Sequence, residues 1–244
     1  LGQSLEEAGR SARYRFFEEL AEKSGARIAT GHTRSDSVET AVFNLMRGSG
    51  LSGVCGIPPV RGRVVRPLIT CSRAETERYC REHGISYVDD STNFSPAYTR
   101  NRIRRELLPL MEDICPGAGE AIARFSELSR GEDALLERMA EKALADCSNG
   151  PGLDAKALAA LDDCVALRVL RRLYRNTFGA SMDAGHAKEV LALIKSGGGR
   201  VQLPGERFAI LSDGLFSFSP SLPDSADTAP AAAPVPLSLG KDGA

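Results

Sequence analysis

Apolar residues recur at three- and four-residue spacing through much of the chain, and that period predicts helices. Leu5, Ala8, Ala12, Phe16, Phe17 and Leu20 form one such stripe over residues 4–23, with Ser4 and Glu7 at capping-box spacing. A short apolar run, residues 26–30, then reads as a buried strand. Val38, Ala41, Val42, Leu45 and Met46 resume the helical period beyond a polar turn. Residues 64–69 read as a second strand after a loop at 57–63, and Ser72 with Glu75 opens a helix that stops at Gly84. Residues 85–88 read as a third strand. Beyond Pro116 and Gly117 the texture changes to helical periods over 119–146, 155–177 and 183–196, interrupted by glycine and proline at 150–152. Three strand-like pieces follow at 200–203, 207–211 and 215–218, the last after an Asp213–Gly214 turn pair.

Alternating strands and helices over the first 115 residues predict an α/β fold, a partial Rossmann-like domain around a parallel sheet. The expected organisation is residues 1–115 as part of that domain and 116–218 as a mainly helical domain with a small β-hairpin. Residues 219–244 read as a Pro/Ala-rich linker and the start of a truncated further domain, with a strand beginning at 235–239. The pattern opens on a helix where a parallel sheet would have earlier strands, and the chain starts at Leu1. It is therefore read as lacking an N-terminal portion.

Composition narrows the chemistry. The net charge is −1, but ten arginines against five acidic residues fall between 60 and 105. Arginine is suited to planar, bidentate phosphate contacts, so this segment suits a nucleotide or nucleic acid. The six cysteines contain no C-x-x-C pair, which argues against a thiolate zinc site or a redox pair and for reduced thiols in a cytoplasmic protein. No apolar run is long enough to span a bilayer, and no signal peptide is evident.

The candidate chemistry concentrates at the second helix. Open α/β sheets hold ligands at the carboxyl ends of their strands, and the turn after residue 30 carries His32, Asp36, Glu39 and Thr40. Asp36, Glu39 and Thr40 share one helical face. Two carboxylates there are also what the helix dipole favours by itself. The glycine-rich exit through Arg47, Gly48, Ser49 and Gly50 permits close backbone approach to a phosphate or ribose. Further along, Arg100, Arg102, Arg104 and Arg105 make either a solvated helix face or a phosphate-binding one.

Taken in order, the motifs resemble the tRNA(Ile)-lysidine synthase family of the PP-loop superfamily. They are His32-x-x-x-Asp36-x-x-Glu39-Thr40, Asn44 through Gly50, Arg66-Pro67-Leu68, Asp90-x-x-Asn93, Tyr98-x-Arg100-Asn101-x-x-Arg104 and Leu108-Pro109. Residues 6–14, ending in Arg13 and Tyr14, resemble that family's helix ahead of the His motif, and Leu203 to Gly205 with Asp213 to Phe216 resemble its following domain. The resemblance implies an adenine nucleotide alpha hydrolase-like fold and a two-step ligation using ATP and Mg²⁺. ATP adenylates the C2 oxygen of the wobble cytidine of the CAU-anticodon tRNA(Ile), and the ε-amine of L-lysine then attacks C2 and displaces AMP to give lysidine. It further implies that Asp36 and Glu39 contact the amine or Mg²⁺, Asp36 being the metal candidate, and that His32 contacts nucleotide or base. By the same resemblance Thr40, Arg47, Gly48, Gly50 and Arg66 bind nucleotide or substrate. Arg100, Asn101 and Arg104 meet tRNA or the adenylate, and a homodimer is a further candidate partnership.

Two features depart from the family pattern. Ser35 stands where the family usually has a first aspartate, and its hydroxyl is expected to cap the helix instead. The Ser-Gly-Gly-x-Asp-Ser loop that cradles pyrophosphate in the family does not occur in the sequence, so this chain by itself is expected to be inactive with ATP. Two other readings are a related PP-loop tRNA thiolase, against which the missing C-x-x-C pairs count, and a non-catalytic tRNA-binding remnant.

Overall fold

The computed structural model describes residues 5–87 and 99–221, apart from the side chains of residues 5–8 and 10. Ser4, Val88, Asp90, Asn93, Tyr98 and the segment beyond 221 lie outside them. Two compact units divide between Asp133 and Ala134.

The first unit opens with α1 (Leu5–Ser24), followed by β1 (Ile28–Ala29), α2 (Arg34–Met46), the short α3 (Leu51–Val54), β2 (Val60–Arg61), β3 (Val64–Val65) and α4 (Arg73–Glu82). β1 pairs in parallel with β3, Ile28 opposite Val64 and Ala29 opposite Val65. This is the expected parallel α/β arrangement, but with shorter strands than the apolar runs suggested. Residues expected to form a loop supply β2, which makes a hairpin with β3 in the order β1-β3-β2. Its two-residue connection places Gly62 at φ 57°, a conformation that tight hairpins need and glycine adopts without strain. Ile85–Tyr87 are not in a strand. The core of this unit draws on Val38, Ala41 and Val42 of α2 together with Val54, Ile57, Val64, Ile69 and Ile103.

The arginine-rich segment is helical but not uniformly so. α5 (Thr99–Arg102) runs into a π-helical turn, Ile103–Leu107, and then α6 (Leu108–Ile114). Pro109 gives the reason. A proline lacks the N–H for an α-helical bond, and its ring crowds the carbonyl four residues back. The helix accommodates it by widening one turn, so that Leu108 N–H donates to Ile103 five residues earlier. After α6, the Glu112 carboxylate accepts the Gly117 and Gly119 N–H groups at 2.7 and 3.2 Å. It thereby satisfies donors at the start of the long helix α7 (Ala118–Asp146).

In the second unit α8 (Ala155–Ala159), α9 (Asp163–Phe178) and α10 (Ala184–Ser196) pack with a five-stranded antiparallel sheet. The expected strands become β6 (Gly199–Leu203), β7 (Arg207–Ser212) and β8 (Leu215–Ser219), and β4 (Ser148–Asn149) and β5 (Gly152–Asp154) extend them in the order β4-β5-β8-β7-β6. The small hairpin expected there is thus one side of a larger sheet, with β6 at its edge. α9 ends on Gly179 at φ 64°, and Asp183 caps α10 through the His186 N–H. Phe216, Leu158, Leu170, Val169 and Val190 are wholly buried at the centre. Phe216→Ala should cost about 3–5 kcal/mol by transfer and cavity terms, read as a lower midpoint for this unit in denaturant unfolding.

Candidate functional site

The turn after β1 is built by hydrogen bonds from its own side chains. Thr33 caps α2, and its N–H and hydroxyl both donate to Asp36 Oδ2 at 2.8 Å. This corrects the expectation for Ser35. Thr33 and Asp36 form the capping box, while Ser35 Oγ accepts the N–H of Arg73, the first residue of α4, at 3.1 Å. Ser35 therefore joins the starts of two helices rather than capping its own. Ser37 Oγ accepts the Ile57 N–H at 2.9 Å. Gly56, at φ 65°, passes so close that an added Cβ would lie 2.3 Å from that hydroxyl oxygen, so only glycine fits there without displacing α2 or the loop.

On the face of α2 that follows, Asp36, Glu39 and Thr40 meet two arginines from the α5 and π-turn segment. Arg104 grips Glu39 with both arms, Nε to Oε1 at 2.5 Å and Nη2 to Oε2 at 2.9 Å. The same Nη2 reaches Asp36 Oδ1 at 3.3 Å. Arg100 donates to Thr40 Oγ1 at 2.7 Å, and that hydroxyl donates to the Asp36 carbonyl at 2.8 Å. Asn101 is buried on α5. Four residues expected to serve two different ligands, Asp36 and Glu39 for an amine and Arg100 and Arg104 for RNA or adenylate, are thus joined in one network.

Burial sets its electrostatics. The Glu39 side chain is only 4% exposed, against 31% for Asp36 and 28% for Arg104. Desolvation pushes the Glu39 carboxyl up from its usual range, and the hydrogen bonds and charge of Arg104 pull it partly back.

The remaining candidates lie around this network or apart from it. His32 sits in the same turn with Nδ1 2.9 Å from Thr30 Oγ1. Arg47 is exposed at the end of α2, its guanidinium over the Phe43 ring at 5.3 Å. Gly48 and Gly50 shape the turn into α3, where a side chain would meet nothing within 4 Å. Arg66 is buried at the end of β3 and donates from Nη1 to the Pro58 carbonyl at 2.7 Å. It borders a cavity of about 660 Å³ with Tyr14, Glu18, Arg61 and Arg63. Arg130, which the sequence did not single out, reaches back from α7 to the Cys55 carbonyl at 2.7 Å. Among the described residues no three His, Cys, Asp or Glu side chains converge as a metal shell. All six cysteines are free, and no described helix is long and apolar enough to cross a membrane.

The sequence held signals for two features that were missed. Thr33-x-x-Asp36 follows the capping-box pattern, and Pro109 inside a helical period is a known cause of local distortion.

Comparison with known proteins gives a consistent result. Residues 1–111 match the family of the PP-loop domain, ATP_bind_3. The tRNA(Ile)-lysidine synthase of Solibacter usitatus is 40% identical over 213 residues, covering 83% of this chain and 48% of the relative. That of Leifsonia xyli is 36% identical, covering 88% of this chain and 67% of the relative. That of Geobacter sulfurreducens is 35% identical over 237 residues, covering 91% and 50%. The chain thus spans about half the length of the first and third of these and two thirds of the second.

Linkage gives Glu39 a pH signature. Its raised folded-state pKa means that the folded chain holds a proton at pH values where the unfolded chain has released it. Stability contributed by Glu39 is therefore fully present below the unfolded value of 4.5 and is lost as pH rises through the folded value. The stability of the wild type relative to Glu39→Gln should fall with rising pH just above 4.5 and then level off. Denaturant unfolding of both proteins across that range checks the sign.

Proposed function

The chain belongs to the tRNA(Ile)-lysidine synthase family, and on that footing we propose that it takes part in ATP-dependent ligation of L-lysine to the wobble cytidine of a CAU-anticodon tRNA(Ile). In the first step the C2 oxygen attacks the α-phosphate of ATP and pyrophosphate leaves. In the second the lysine ε-amine attacks C2, the C2–O bond breaks and AMP departs with the oxygen. Adenylation makes a poor leaving oxygen a good one, and the protein contributes mainly by holding the reacting groups in line.

The observation that carries this reading is the convergence of two carboxylates from α2 with two arginines from the α5 and π-turn segment. Carboxylates suit the ammonium form of an incoming amine and can help to release its proton. Guanidinium groups suit phosphate oxygens of adenylate or RNA backbone. In this reading Glu39 and Asp36 hold the lysine amine, and Arg100 and Asn101 face the phosphorylated substrate. His32, Arg47 and the turn through Gly48 and Gly50 border the nucleotide, and Arg66 adds a positive charge at the end of the neighbouring strand.

Mg²⁺ fits Asp36 only in part. Oδ2 is taken up by the Thr33 cap and Oδ1 by Arg104. A single Asp36 contact, completed by phosphate oxygens and water, is the ordinary way in which a protein binds that ion beside a nucleotide, where it neutralises phosphate charge.

Joined to a segment that carries the Ser-Gly-Gly-x-Asp-Ser loop, the chain should release AMP from ATP and Mg²⁺ only when both tRNA(Ile) and L-lysine are present; release independent of lysine overturns the ligase reading. Glu39→Gln should lower turnover far more than tRNA affinity, whereas equal losses remove Glu39 from the chemistry. Arg100→Ala should weaken tRNA binding and reduce the log–log salt slope by about one, measured by titration at several salt concentrations.

A further inference from the structure

The bidentate grip on Glu39 places a cation where the proposed function needs to receive one. Both Glu39 oxygens accept from Arg104, and the side chain is nearly sealed from water. The Asp36 oxygen facing this pair accepts from the same guanidinium, while the other is held by Thr33. An incoming ammonium therefore finds its two carboxylates already occupied. Burial forbids the simplest alternative, in which Arg104 merely leaves, because that strands a desolvated carboxylate without a partner. The exchange is feasible only if Arg104 gains a second anion as it lets go and a cation replaces it on Glu39.

The segment carrying Arg104 is suited to such an exchange. It lies in the π-helical turn, where the wider ring adds one residue to the local repeat. A widened turn differs from an α-helical one by a register step, the kind of discrete alternative that switching elements use. Arg100, Arg102 and Arg105 stand on the same short stretch and are exposed, so an anion arriving there meets a positive surface.

We propose that Arg104 is a gating and positioning residue. Its guanidinium plugs the Glu39 and Asp36 pair, and a phosphate group draws it off to expose both carboxylates for an amine. Amine binding then follows phosphate binding, which prevents a free amine from occupying the site before a phosphorylated acceptor has arrived. This rests on the reading of the site as one for an amine and a phosphorylated ligand. It assigns to Arg104 the order in which they enter.

The test is the rate at which a water-soluble carbodiimide couples glycine ethyl ester to Glu39, followed by peptide mass spectrometry with Glu112 as the internal reference. The arms are the free chain, the chain with AMP, and the chain with an unmodified tRNA(Ile) transcript. Glu39 should label slowly in the free chain. A rise of about tenfold with either probe corresponds to a shift from about one chain in a hundred open to about one in ten. A response to AMP identifies the nucleotide phosphate as the trigger, and a response to tRNA alone identifies the RNA backbone. Arg104→Gln should label fast and without response to either probe. Arg104→Lys keeps the charge but not the two-armed grip, and should label at an intermediate rate with the response retained. Wild-type labelling unchanged by both probes overturns the proposal, as does an Arg104→Gln chain that is folded by circular dichroism yet labels as slowly as wild type. A residue that only held the fold together would not make wild-type Glu39 respond to an anion. Labelling needs neither ATP turnover nor lysine, so a chain that fails the AMP-release assay but passes this test loses the ligase reading and keeps the gate.

Discussion

A carboxylate almost closed to water is the constraint around which the first unit is arranged. Glu39 is tolerable as a charge only because a guanidinium meets it squarely. That requirement fixes where the α5 segment lies relative to α2, and Ile103, buried beside Arg104, adds apolar contact to the same junction. The sheet contributes little by comparison, since β1 and β3 pair over two residues each. Positioning falls instead to side chains of α2 that bind backbone groups of α4, of the loop after α3 and of α3 itself, through Ser35, Ser37 and Asn44.

Much of this was legible in the sequence where a local rule has little competition. The helical periods gave α1, α2, α7 and α10, and Ser72 with Glu75 closed the capping box that the pattern implies. Strand lengths were less legible. Apolar runs mark what is buried, and residues 66–69 form a turn after β3 rather than part of the ladder. β4 and β5 flank a glycine- and proline-rich turn with no alternation to reveal them, and they exist because β8 offers a free edge. Ser35 was misread because a hydroxyl near a helix start has two local uses. The choice between them depended on the position of α4, which is a tertiary fact.

The site shows the same division. His32, Asp36, Glu39 and Thr40 could be placed on one turn and face from spacing alone. That Arg104 would join the carboxylates rather than stand apart as an RNA contact could not be read from spacing, because the partners are 65 and 68 residues apart in the chain. Pro109 supplied a clue through the π turn it forces, since shifting the register of that helix by one residue changes which arginine faces α2.

Ser35 and Ser37 both bind backbone N–H groups, not side chains, and this makes tolerance to change lopsided. At Arg73, which is exposed, almost any side chain can be carried without touching the tie, because the partner reads only the amide, whereas Ile57 is also held by its place in the core. One residue is barred from both places. Arg73 is the first residue of its helix, a position that ordinarily welcomes proline because its N–H has no helical partner. Here that otherwise idle N–H is in use. The substitution that would suit α4 best as an isolated helix is the one that would untie it from the start of α2.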